Sequence, residues 1–190
     1  DGCRIIATGE MGIGNTTTSA AMAAAMLRCD VATVTGRGAG LNDSGLEKKI
    51  SVIESAIEKY DLYNKDTFEI LMTVGGLDIA GLVGVCIGGA LYHIPVVLDG
   101  VISMVSALAA GRLLSGVTDF IISSHEGREP AVALLCEALS VRPVIRASLA
   151  LGEGTGAVMM FALLDMALSV YKGRTTSMIS RYHSMRGTYR

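Results

Sequence analysis

Apolar residues along the chain fall into two kinds of run. Short runs at 3–7, 31–35, 94–98, 118–123 and 144–149 show no strict alternation and stop at glycine, aspartate or serine. That pattern predicts strands covered on both faces. Longer runs follow helical spacing. Leu46, Ile50, Ile53 and Ile57 mark one face of a helix over 43–60. The Ala- and Met-rich segment 16–27 predicts a helix with Asn15 or Thr16 at its N-cap. Further helices are predicted over 67–74, 78–92, 101–114, 155–171 and 130–139, the last with proline in its first position. The glycine-studded segment 78–92 reads as buried, and 61–66 as a polar connector. Strand and helix alternate, so the prediction is one α/β domain over 1–172 with no internal repeat. It is an open parallel sheet with helices on both faces. In such sheets ligands bind beyond the carboxyl ends of the strands. The loops at Gly9, Gly36, Asp99, Ser124 and Gly152 all follow predicted strands and are expected to converge there.

Composition narrows the function. Of the 190 residues, 51% are hydrophobic and 18% charged, which is a globular balance rather than a disordered one. Trp is absent and the net charge is −2, so neither base-stacking platforms nor broad phosphate-backbone binding is expected, and nucleic acid is not a predicted partner. The charge is uneven. Lys172, Arg174, Arg181, Arg186 and Arg190 close the chain with no acid among them. Setting these five aside leaves 11 basic residues against 18 acidic ones, a balance of −7. Residues 173–190 read as a basic, solvated tail, or as an arm that docks on a partner. Cys3, Cys29, Cys86 and Cys136 lack C-x-x-C spacing and a nearby histidine, so they read as free, mostly buried thiols and not as metal ligands. The longest apolar stretch read from the sequence, 79–91, is too short to span a bilayer. No membrane association is expected, and the predicted location is cytoplasmic. The chain begins at Asp1 with a strand-like run and reads as the middle of a longer protein.

Candidate chemistry lies in the glycine loops. Gly9-Glu10-Met11-Gly12-Ile13-Gly14-Asn15-Thr16-Thr17 and Gly152-Glu153-Gly154-Thr155-Gly156 each follow a predicted strand and precede a helix. Such junctions present free backbone N–H groups to an anion. The glutamate in each would repel phosphate, so it points to proton transfer or to stabilising positive charge. If both face one pocket they raise each other's pKa, with Met11 and Leu151 adding an apolar contribution. A carboxylate so placed can act as a base near neutral pH or stabilise an oxocarbenium-like sugar cation. The reaction type suggested is transfer at the anomeric carbon of a sugar phosphate. A third glycine loop, Gly36-Arg37-Gly38-Ala39-Gly40, has Arg37 and Lys49 as its nearby cations, although Lys49 by spacing alone sits on a solvated helix face. Asp99-Gly100 either holds a ribose hydroxyl or caps the next helix. His125 reads as a solvated or structural loop residue. No lysine follows the first loop as in a P-loop kinase, and the third glycine of the dinucleotide fingerprint is missing. A nucleotide-binding module without chemistry remains the alternative to an enzyme.

The motifs from Glu10 to Thr17, Gly36-Arg37-Gly38 through Leu41, Pro95-Val96-Val97-Leu98-Asp99-Gly100 and Leu151-Gly152-Glu153-Gly154-Thr155-Gly156 resemble those of the nicotinate-nucleotide–dimethylbenzimidazole phosphoribosyltransferases, over nearly the whole chain to about Tyr171. The resemblance implies a Rossmann-like sheet, a homodimer, and no cofactor or metal. It implies transfer of the 5-phosphoribosyl group of nicotinate mononucleotide to 5,6-dimethylbenzimidazole or a related base, in cobalamin synthesis. It further implies that Glu153 is the general base and Glu10 a second acid. Gly12, Gly14, Asn15, Thr16, Gly36, Gly38, Lys49, Asp99, Gly100 and Gly152 would then cradle phosphate and ribose, with Met11 and Leu151 against the flat base. Ala39, Asn42 and Gly127 stand where the family pattern has threonine, aspartate and serine, and the family's amino-terminal region has no counterpart in this chain.

Overall fold

A three-stranded sheet divides the interior into two unequal cores. The computed structural model describes residues 2–149 and 151–186, with side chains as far as Gly173. Strands β1 (Ile6–Ala7), β2 (Val96–Leu98) and β3 (Ile121–Ser123) lie in that order, all parallel. Ile6 pairs with Val96, and Val96 with Ile121. Because side chains alternate across a strand, Val96, Leu98, Ile121 and Ile6 join the larger core, while Val97, Ala7 and Ile122 join the smaller.

Helices cover both faces. The larger core is built on α1 (Asn15–Leu27) and α6 (Val101–Leu113), whose central residues are buried on every side. Around them pack α2 (Val31–Val34), α3 (Asp43–Tyr60), α4 (Thr67–Val74), α5 (Leu77–Leu91) and α7 (Ala131–Leu139). Gly89 of α5 lets that helix lie directly on β2, since a Cβ there would stand 2.4 Å from Val96 Cγ2. The opposite face is covered by α8 (Thr155–Arg186) through Ala157, Met160, Phe161 and Leu164. The remaining side of α8 leaves Val158, Met159, Met166, Leu168 and Val170 exposed. The segment Thr155–Gly173 is long and apolar enough by length and composition to cross a membrane, a feature the reading of 79–91 as the longest apolar stretch overlooks.

Several predicted elements change. Residues 31–35 form the short helix α2, not a strand. Asp30 caps it, its carboxylate accepting from Ala32 N–H at 2.7 Å while its carbonyl accepts from Thr33 Oγ1. This local capping overrides the strand preference of Val31, Thr33 and Val34. The first strand is two residues long. Residues 117–120 form a 3-10 turn ahead of β3, and 144–149 pair with the sheet only through a single bridge, Ile145 to His125. The N-cap of α1 is Gly14, in the left-handed region at φ 93°, so neither Asn15 nor Thr16 caps with its side chain. The connector at 61–66 buries Leu62 completely. Helix α5 is buried along one face only, leaving Leu77 and Leu91 exposed. Of the four free thiols, Cys3 is exposed, while burial pushes the Cys86 thiol up to about 12. Helix α8 continues past Tyr171 to Arg186, so the basic segment read at 173–190 begins inside it. Residues 187–190, and the side chains from 174 onward, lie outside the described residues.

Candidate active site

The loops at the carboxyl ends of the strands surround a cavity of about 380 Å³. Its wall takes Glu10, Gly12, Asn15 and Thr16 from the first loop, Gly38 and Ala39 from the loop before α3, and Asp99 to Ser103 after β2. His125 to Glu129 with the exception of Glu126, then Val132, Leu149, Leu151 and Gly152, complete it. All five predicted loops therefore contribute, although the one at Gly36 follows a helix and the one at Gly152 follows a segment held by a single bridge.

The two glutamate loops touch. A Cβ on Gly9 would lie 2.7 Å from the backbone nitrogen of Gly154 and 2.8 Å from its Cα. Only a glycine permits that approach. Glu10 is half-buried and lines the cavity. Its carboxyl is raised above the ordinary glutamate range, first by burial. A hydrogen bond from Asn15 opposes the rise, and the charges of Asp78, Asp99 and Glu153 add to it. Glu153 is exposed and is not part of the cavity wall, although its charge reaches Glu10. Its backbone sits in the left-handed region at φ 58°, between Gly152 and Gly154 at φ 77° and 82°. Met11 is 87% exposed and lies outside the wall, and Leu151, though in the wall, is 71% exposed. Neither supplies the apolar cover expected for the glutamates.

Asp99 does not cap the helix that follows it. The buried carboxylate instead receives the N–H groups of Gly154 at 3.1 Å, Gly156 at 2.8 Å and Ala157 at 3.3 Å, at the start of α8. It thus neutralises the positive end of that helix and pins the second glutamate loop to the end of β2. Behind it His125 is buried, 3.9 Å from Asp99 and 3.0 Å from Ser124 Oγ through Nδ1. The ring lies so close to α8 that a Cβ on Gly156 would fall 2.0 Å from Nδ1. His125 is therefore a packed residue, not a solvated one.

Lys49 is also buried, 6% exposed, rather than on a solvated face. Its ammonium donates to Gly36 O at 2.9 Å and Thr16 Oγ1 at 3.0 Å, tying α3 to the glycine loop and to α1 just behind the cavity wall. Burial lowers its pKa, and Glu129 opposes that shift. Gly36 gives Glu129 its space, since a Cβ there would overlap the carboxylate, and Gly38 adopts φ 52° against Thr16. Gly36 and Gly14 shape the wall without lining it, while Gly12, Gly100 and Gly152 line it. Arg37 is engaged elsewhere, by Asp43 at 2.5 Å and Leu41 O at 2.9 Å. Sequence reasoning misses Asp78. It stands in the first turn of α5 and accepts from Asn15 Nδ2 at 3.1 Å, and its only local signal is the Gly75-Gly76 pair before it. Among the described residues no three His, Cys, Asp or Glu side chains are grouped to hold a metal ion.

A family described as phosphoribosyltransferase matches residues 1–178. The nicotinate-nucleotide–dimethylbenzimidazole phosphoribosyltransferase of Acetivibrio thermocellus is 43% identical over 175 residues, 92% of this chain and 50% of that protein. The enzyme of the same name from Clostridium perfringens is 40% identical over 92% of this chain and 48% of its own length. The crystal structure of CobT from Thermus thermophilus superposes with a TM-score of 0.82 at 36% identity, over 87% of this chain and 50% of that one. This chain spans about half the length of these relatives. With its parallel sheet, its cavity at the strand ends and a match over nearly its full length, the chain belongs to the phosphoribosyltransferase family.

Proposed function

We propose that this chain takes part in transfer of the 5-phosphoribosyl group of nicotinate mononucleotide to 5,6-dimethylbenzimidazole or a related base. Nicotinate leaves, and the α-linked nucleotide used in cobalamin synthesis forms. The observation that carries this reading is the contact between the two glutamate loops over one cavity at the strand ends.

In the reaction, a ring nitrogen of the incoming base bonds to the anomeric carbon on the face opposite the departing nicotinate, so configuration inverts. The electron pair of the breaking bond goes to the nicotinate nitrogen, which was a pyridinium and leaves without needing a proton. Glu153 takes the proton from the attacking heterocycle, making it the better nucleophile. Glu10 sets negative charge beside the sugar carbon as that carbon becomes cationic. Backbone N–H groups of the glycine loops, with Thr16 held by Lys49, receive the phosphate. A homodimer in the cytoplasm is part of the same proposal.

The test is incubation with nicotinate mononucleotide and a panel of bases, following free nicotinate. Glu153→Gln should lower the rate about 100-fold or more while nicotinate mononucleotide still binds. Binding without any release of nicotinate by the unaltered chain would favour a nucleotide-holding module over an enzyme.

A further inference from the structure

Asn15 joins two carboxylates from different elements. It is the first residue of α1 and is 8% exposed. Its carboxamide nitrogen donates to Glu10 Oε2 and, at 3.1 Å, to Asp78 Oδ2 in the first turn of α5. A carboxamide has two N–H hydrogens and one acceptor oxygen. With one hydrogen on each carboxylate, the orientation of the amide is determined. Turned over, its oxygen would face two negative groups. Two glycines make room for the arrangement: a Cβ on Gly12 would stand 2.6 Å from Asn15 Nδ2, and one on Gly76 would stand 2.4 Å from Asp78 Oδ1. Asp78 itself is exposed and lies outside the cavity wall.

We propose that Asp78 is a positioning residue for Glu10, acting through Asn15. It holds the second hydrogen of the carboxamide, so that the first stays on Glu10 and the Glu10 carboxylate keeps one orientation toward the cavity. The role rests on reading Glu10 as an acid of the transfer site. Asp78 touches no reacting group; its effect is to narrow the orientations open to one that does.

The full chain is compared with its D78A, D78N, N15A and D78A/N15A variants, by steady-state nicotinate release and by the Asn15 side-chain amide signals in ¹⁵N–¹H NMR spectra. D78A should lower kcat about tenfold, with KM for nicotinate mononucleotide changed by less than about twofold. D78N, whose amide oxygen can still accept from Asn15, should recover at least half of that loss on a logarithmic scale. The double variant should be no slower than N15A alone, because both changes break one linkage. In the spectra, the two Asn15 amide protons should stay distinct and slow to exchange in D78N, and move toward free-amide positions in D78A. Unmoved Asn15 signals in D78A would overturn the proposal, as would full kcat in D78A or losses that multiply in the double variant. Should the unaltered chain release no nicotinate, the transfer reading fails, and the amide signals alone still decide whether Asp78 orients Asn15.

Discussion

Glu10 and Glu153 stand in loops of similar composition that touch each other, yet the two loops are held in opposite ways. Glu10 is fastened by its side chain, through Asn15, and is half-buried in the cavity wall. Around Glu153 the backbone is fastened instead. Asp99 takes three N–H groups from Gly154, Gly156 and Ala157, and three consecutive residues lie at positive φ, while the Glu153 side chain is exposed. A group with few partners in the folded chain keeps its hydrogen-bonding capacity for a ligand. A group already bonded acts chiefly through its charge. This difference supports assigning proton transfer to Glu153 and electrostatic stabilisation to Glu10.

The largest test of the contrast is Asp99→Ala. It leaves three N–H groups at the start of α8 without their acceptor and should cost about 3 kcal/mol of stability, measured by urea unfolding. A cost near zero would mean that the second loop is not held through its backbone. Next is Gly9→Ala, which inserts a methyl group between the loops at 2.7 Å from Gly154 N. It should cost about 1–3 kcal/mol and weaken binding of nicotinate mononucleotide; unchanged binding would show that the loops need not touch to form the site. The smallest effect concerns pH. Burial raises the Glu10 pKa, so the folded chain holds that proton more tightly than the unfolded one. The stability this contributes is present below the ordinary glutamate range and is lost as pH rises through the raised folded value. Glu10→Gln removes the slope. The difference in unfolding free energy between variant and parent should therefore change in the variant's favour across that interval and then level off. A slope of the opposite sign would show that the Asn15 hydrogen bond outweighs burial.

Legibility in the sequence follows the range of the interactions. Helices α3 and α4 are found at their predicted bounds because their starts are encoded locally, by Asn42 accepting from Gly45 N–H and by the capping box of Asp66 and Glu69. The stretch 31–35 misleads because its β-branched residues point one way and the cap at Asp30 the other, and the cap prevails. Both glutamates are visible as acids among glycines. Asn15 and Asp99 are visible too, but their bonds are not, since Asn15 reaches Asp78 across 63 positions and Asp99 reaches Gly156 across 57. Lys49 has the spacing of a surface residue, and only the packing of α3 against the glycine loop buries it.

Helix α8 has a practical consequence for handling the protein. Its outward side carries Val158, Met159, Met166, Leu168 and Val170 in contact with water, and apolar surface of that kind promotes self-association as concentration rises. The weight-average molar mass of the isolated chain, measured by light scattering, should therefore rise with concentration and with sulfate, which strengthens apolar burial. Replacing Met166 and Val170 with lysine and glutamate should suppress that increase without disturbing the sheet-facing contacts of Ala157 and Met160.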